Sequence, residues 1–299
     1  QRQMCIRDSP NIIDAYDFDA EAGVVDMVMD TNGGLLHLLL GDGTFRGISL
    51  TDSSFQTPLG DGDFDRFLMA STGDVFAANG QGIVIWDGAS WNTVASSGNS
   101  AAAPALSMIE ANGVVYAAIE GIGVVRYDIA TAAALSTWSS ANNLHSDTIT
   151  TMAISGNQLM LGSPDNGLAR FDFVAGFWLS TWTSGNWLAS DAIAGVQRVG
   201  PTLYILNGDS LHTYNTTSGV FSTNYDLATL GLAENGVSLV SWPATGPASP
   251  LNDALLINDG SGTLLHLSPN NTPFVEGSIL LASSPATEAV SYTHLTLPT

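Results

Sequence analysis

Leu135-Ser-Thr-Trp138-Ser-Ser-Ala-Asn142-Asn-Leu144-His-Ser146-Asp147-Thr-Ile149 returns 44 residues later as Leu179-Ser-Thr-Trp182-Thr-Ser-Gly-Asn186-Trp-Leu188-Ala-Ser190-Asp191-Ala-Ile193. Ten of the fifteen positions are identical, which chance does not supply. A fixed period is the first thing to establish in any chain, because it decides the fold.

A second anchor keeps the same period. Gly82-Ile-Val-Ile-Trp86-Asp87 is followed by Gly123-Val-Val-Arg126-Tyr127-Asp128 and Gly167-Leu-Ala-Arg170-Phe171-Asp172, and then more loosely by Ser210-Leu-His212-Thr-Tyr214-Asn215. The spacings are 41, 44 and 43 residues, with weaker copies at Gly43 and Gly262. Between anchors the chain reads as short alternating strands separated by turns. In the central copy, strands are expected over Ile149–Ile154, Gln158–Leu161, Gly167–Phe173 and Phe177–Trp182. A unit of about 40–45 residues with four strands is a propeller blade. The expected fold is therefore all-β, a WD40-like β-propeller of four-stranded blades.

About six blades are visible, at roughly 24–62, 63–104, 105–147, 148–191, 192–236 and 237–277. Rings of this kind close with about 4–8 blades, and the intact domain is expected to have seven or eight. Residues 1–9 and 290–299 match nothing else in the chain and resemble translated adapter read-through from environmental assemblies, as of a prokaryotic metagenomic fragment. They are set aside, leaving 10–289 as the propeller, and the natural protein is expected to be longer.

Composition narrows the function. Charged residues are 12% of the 299, against about 25% in ordinary domains. The net charge is −21, all seven basic side chains are arginines, and there is no lysine. Nothing here could neutralise a run of phosphates, so nucleic acid is excluded as a partner class. Anionic membrane surfaces are disfavoured for the same reason. No apolar run approaches the roughly 20 residues of a membrane helix, so membrane insertion is not expected. Cys5, the single cysteine, rules out a disulfide framework and a cysteine metal site.

The stretch Asn143–Ile149, then Leu159-Met-Leu-Gly162-Ser163-Pro-Asp165-Asn166-Gly167-Leu168-Ala-Arg170-Phe171-Asp172, resembles the two-component-regulator propeller repeat. That family carries N-G-L-x-S-N-x-I, then L-W-x-G-T, then G-L-x-R-Y-D. The likeness is good in the two central blades and partial elsewhere, and Met160 stands where the family has Trp. It implies an extracytoplasmic module (secreted, periplasmic or cell-surface) of a kind used for ligand sensing. It carries over no catalytic residue, because the motif builds blades.

Several residues invite a functional reading. Arg126 and Arg170 could bind a ligand, but their repetition argues for pairing inside the blade with Asp128 and Asp172. Trp138 and Trp182 suit packing between blades. Trp187 replaces Asn143 of the preceding copy and is the better ligand contact. Asp61-Gly-Asp63-Phe-Asp65 alternates like a calcium loop, yet Arg66 and Thr72 stand where that loop needs Gly and Glu. His37, His145, His212 and His266 show no metal-binding spacing, and no nucleophile elbow or phosphate loop occurs. Asn215-Thr-Thr217 is a glycosylation sequon if the protein is exported.

Turns between second and third strands of every blade emerge on one face. The candidate ligand residues there are Glu120, Asp165, Asn166, Asp209 and Asp259, joined by Trp187 from an interblade loop. Such a polar ring suits a saccharide, peptide or protein ligand, or a calcium ion; no other cofactor and no catalytic or metal residue is assigned. Turns also favour Asp, Asn and Gly for conformational reasons alone. Three readings stay open: a recognition module, a structural blade array within a large surface protein or adhesin, and a propeller-fold glycan hydrolase or lyase.

Overall fold

The computed structural model describes residues 24–30, 35–40, 43–49, 55–56, 62–98, 103–228, 238–242, 254–258, 263–267 and 277–280. The chain divides into two compact units, Gln1–Trp138 and Ser139–Thr299.

In the first unit, β1 (Val24–Asp30), β2 (Leu35–Leu40), β3 (Phe45–Ser49) and β4 (Phe55–Gln56) form one antiparallel sheet in sequence order. A second sheet contains β5 (Arg66–Met69), β6 (Val75–Asn79), β7 (Gly82–Trp86) and β8 (Trp91–Ser96). A third contains β9 (Ala105–Ala111), β10 (Val114–Ile119), β11 (Gly123–Asp128) and β12 (Ala133–Trp138). The second unit repeats the pattern. Its first sheet has β13 (Thr151–Ser155), β14 (Gln158–Gly162), β15 (Leu168–Asp172) and β16 (Phe177–Trp182). Next come β17 (Ile193–Val199), β18 (Thr202–Asn207), β19 (Ser210–Asn215) and β20 (Val220–Asp226). The last has β21 (Ser238–Trp242), β22 (Ala254–Asn258), β23 (Thr263–Leu267) and β24 (Gly277–Leu280). Among the described residues helical geometry is confined to 3-10 turns, at Ser140–Asn142 and at Ala228.

Within each unit the first strands of successive sheets lie against one another: β1, β5 and β9 in the first, β13, β17 and β21 in the second. Side chains stitch them together. Asp26 accepts the Phe67 N–H at 3.1 Å, and Asp65 accepts the Ala105 N–H at 2.8 Å. Arg66 donates to the Leu106 carbonyl. In the second unit the Thr151 hydroxyl accepts the Val196 N–H. Asp65, read as part of an acidic turn, is thus a tie between neighbouring sheets.

The cores lie between sheets. Phe76, Ala78 and Ile83 pack with Val115, Ala117 and Ile119 of the next sheet, whereas Ala77 and Val84 pack with Leu39 and Phe45 of the preceding one. Successive side chains of a strand point to opposite faces, and here both faces are buried. That is why the middle strands read as continuous apolar runs and contain many alanines. In the second unit, Met160, Leu168 and Trp182 pack with Ile193, Val196, Leu203 and Ile205.

The glycines at the start of the third strands in the central sheets, Gly82 and Gly167, have a specific reason. Gly167 has φ +79°, and a Cβ there would lie 2.2 Å from the Trp182 carbonyl oxygen. Gly82, one position of the same repeat, has φ +137° and the same conflict with Ala95 at 2.0 Å. Both positions need the left-handed region and a close backbone approach, which only glycine tolerates.

Candidate functional site

Most of the ten repeated identities have a defined place in the architecture. The third and fourth strands carry a bulge between Val124 and Arg126, and again between Leu168 and Arg170. A bulge re-aims side chains locally. Arg126 thereby donates from Nε and Nη2 to the Ser136 carbonyl at 2.9 and 2.6 Å and stacks 4.2 Å over Trp138. Arg170 does the same with Ser180 and lies 4.3 Å over Trp182. The expected pairing with Asp128 and Asp172 is not what forms. Those carboxylates sit at strand ends and take turn N–H groups instead: Thr131 for Asp128, Val174 and Ala175 for Asp172. The Thr131 N–H accordingly holds the Asp128 carboxyl below its ordinary range. The turn's own N–H donors occupy the carboxylate, while each guanidinium is committed to a Ser carbonyl and a Trp face.

Trp138 and Trp182 are buried, as packing residues should be. Trp182 meets Tyr214 and Phe221 of the next sheet at 4.7 and 4.9 Å between ring centres.

The loops that follow, 139–149 and 183–193, are built by the remaining identities. Asn142 accepts the Ser139 N–H, and Asn186 accepts the Thr183 N–H. Asp147 binds the Ser140 N–H and hydroxyl, and Asp191 binds those of Ser184. Leu144, Leu188, Ile149 and Ile193 are buried beneath. These carboxylates are engaged inside their own loops.

The candidate residues divide between the units. Glu120 is exposed in the turn after β10, in the first unit, where its N–H reaches the Pro104 carbonyl. In the second unit, Asp165 and Asn166 are exposed in the turn after β14 and bond to each other at 2.9 Å. Asp209 is exposed in the turn after β18. Loop 183–193 joins these last two turns. The Gly167 N–H donates to the Asp191 carbonyl, the Gly208 N–H to the Ala192 carbonyl, and the Asn207 amide to the Ser190 carbonyl. So Asp165, Asn166 and Asp209 share one end of their sheets with the loop bearing Trp187. The Trp187 ring itself stacks on Phe221 of the edge strand β20, 5.6 Å away and 9° from parallel, with 57% of its surface exposed. Asp259 and Asp61 lie outside the described residues.

Two residues that spacing could not single out belong to the same end. His145 reaches the Gly167 carbonyl through Nε2 at 3.2 Å, and His212 accepts the Ala189 N–H on Nε2 at 3.2 Å. Burial lowers the pKa of both; for His145 the Gly167 carbonyl and Asp165 pull in the opposite direction. Among the described residues, no three His, Cys, Asp or Glu groups come together as a metal site. No described helix is long and apolar enough to cross a membrane.

No protein-family model matches the chain, and no curated protein matches it in sequence. Solved structures do resemble it. The computationally designed Ika8 protein aligns with a TM-score of 0.60 at 11% identity, over 87% of this chain and 81% of that one. A chain of the mitotic checkpoint complex aligns with a TM-score of 0.65 at 15% identity, over 95% of this chain and 90% of that one. The extracellular domain of a protein described as a hybrid two component system, BT3049 from B. thetaiotaomicron, aligns with a TM-score of 0.67 at 12% identity. It covers 86% of this chain but 34% of that one. At these identities the likeness concerns architecture and not activity. Together with the four-stranded sheets it establishes an all-β fold of the β-propeller, WD40-like kind.

Proposed function

We propose that this chain is a non-catalytic recognition module, working outside the cytoplasm, that binds a saccharide, peptide or protein on the face built by its turns and intersheet loops. The observation that carries this reading is the convergence of the Asp165–Asn166 turn, the Asp209 turn and the Trp187 loop at one end of their sheets. The exposed carboxylates and amide of the two turns offer hydrogen bonds, and the exposed Trp187 ring on the intersheet loop offers a stacking surface. Glu120, in the corresponding turn of the first unit, and Asp259 are proposed as further ligand residues. Calcium is the ion such groups would take.

One observation favours a second reading, a purely structural array. Asp147 and Asp191 hold their own loops, so part of the polar rim is accounted for by turn chemistry. A glycan array and a calcium titration on the chain, repeated with Asp165→Ala/Asn166→Ala/Trp187→Ala, separate the two. The recognition reading expects a partner for the parent and at least about tenfold weaker binding for the variant, about 1.4 kcal/mol. Absence of any partner, or equal binding by the variant, leaves the structural array.

A further inference from the structure

We propose that the loops 139–149 and 183–193 are latched by two neutral histidines and open together in mild acid. The hydrogen bonds fix which nitrogen is bare. A carbonyl only accepts, so His145 must donate to Gly167 from Nε2, leaving Nδ1 unprotonated. That Nδ1 is buried and has no hydrogen-bond partner. A proton added there would be a buried donor with nothing to receive it, which is costly. His212 is the mirror case. Its Nε2 accepts the Ala189 N–H, so it must be bare, and the ring is 7% exposed. Protonation turns that acceptor into a donor facing another donor, and the bond to the loop is lost.

The two latches are equivalent by position. His145 in the first loop corresponds to Ala189 in the second, and His212 on β19 corresponds to Ala169 on β15. One copy places its imidazole on the loop beside an alanine-bearing strand; the other places it on the strand beside an alanine-bearing loop. Each loop therefore carries one imidazole latch, supplied from opposite sides.

The neighbouring charges do not rescue the protonated rings. Asp165 faces His145 and raises its pKa, but less than burial lowers it. Asp147 and Asp191, in the two loops, are turned onto Ser140 and Ser184. Asp209 and Asp226 stand at the exposed ends of the strands beside His212, whose shift comes from burial alone. A histidine depressed below its free value of 6.5 takes up a proton on release. The latch is thus complete above that pH and lost as pH falls below it.

The test is hydrogen exchange of the 139–149 and 183–193 segments in the intact chain from about pH 7.5 to about pH 5, corrected for intrinsic exchange, together with far-UV circular dichroism. The reference variant is His145→Gln/His212→Gln, because a Gln amide can donate to Gly167 and accept from Ala189 without titrating. The expected result is at least about tenfold more opening of both loops at the acid end in the parent, with its β signal intact and the double variant unresponsive. An equal acid response in the double variant assigns it to the loop carboxylates and overturns the proposal. So does a flat response in the parent, or loop opening only where the whole fold melts. The readout requires no ligand, so it stands or falls apart from the recognition reading.

Discussion

At the scale of single residues, the repeat is a set of matched jobs, and Arg170 shows it best. Its planar fork serves the Ser180 carbonyl while its face lies on Trp182. Lysine keeps the charge but neither the fork nor the stack. Arg170→Lys should cost about 1–2 kcal/mol in urea unfolding, and an unchanged midpoint would contradict this geometry. The sequence made the repetition of Arg126 and Arg170 plain and pointed to a role inside the sheet. It did not reveal the partner, because the bulge that turns the guanidinium toward Trp182 leaves no mark in an apolar–polar pattern. Trp187 poses the opposite problem. Its difference from Asn143 was legible, but its partner Phe221 lies 34 positions away on another sheet, beyond what spacing can indicate.

At the scale of elements, strands and turns in the central copy were readable because each turn has its own chemistry. Gly156, with φ +60°, turns β13 into β14, and Gly176, with φ +72°, lies between β15 and β16. The expected start of the inner strand at Ile149 falls two residues early. Ile149 is buried as the loop's apolar anchor, and the Thr150 hydroxyl goes to the Ile193 carbonyl of the next sheet. Glycines divide into two kinds, which a pair of variants should separate. Gly176→Ala meets nothing within 4 Å and should cost about 1 kcal/mol of left-handed strain. Gly167→Ala adds a collision with the Trp182 carbonyl and should cost at least about 2–3 kcal/mol. Equal midpoints for the two would show that the close approach is not there. Loop 183–193 has its own check. Asp191→Ala removes the acceptor of the Ser184 N–H, so exchange at that amide should accelerate while amides in β17 stay protected.

At the scale of the whole molecule, charge and architecture set the behaviour. With a net charge of −21 and no lysine, self-repulsion opposes the compact state and salt relieves it. Raising sodium chloride from about 10 mM to about 500 mM should raise the melting temperature, and DNA or RNA should show no micromolar binding at physiological salt. The fold class was legible because a period near 44 residues with four strands per copy has few architectural solutions. A ligand was not, because nearly every repeated side chain is committed to a sheet, to the packing between sheets or to a loop. The proposed division of labour has the repeated Arg, Trp and loop residues building the sheets, and the exposed turn side chains with Trp187 left for recognition. Chemical unfolding of Trp182→Ala beside Asp165→Ala/Asn166→Ala/Trp187→Ala tests it most directly. Trp182 is 4% exposed, and its truncation should remove about 3–5 kcal/mol. The triple variant should lose less than about 1.5 kcal/mol, chiefly the stack on Phe221. A triple variant as unstable as Trp182→Ala would place those side chains in the framework and contradict the account.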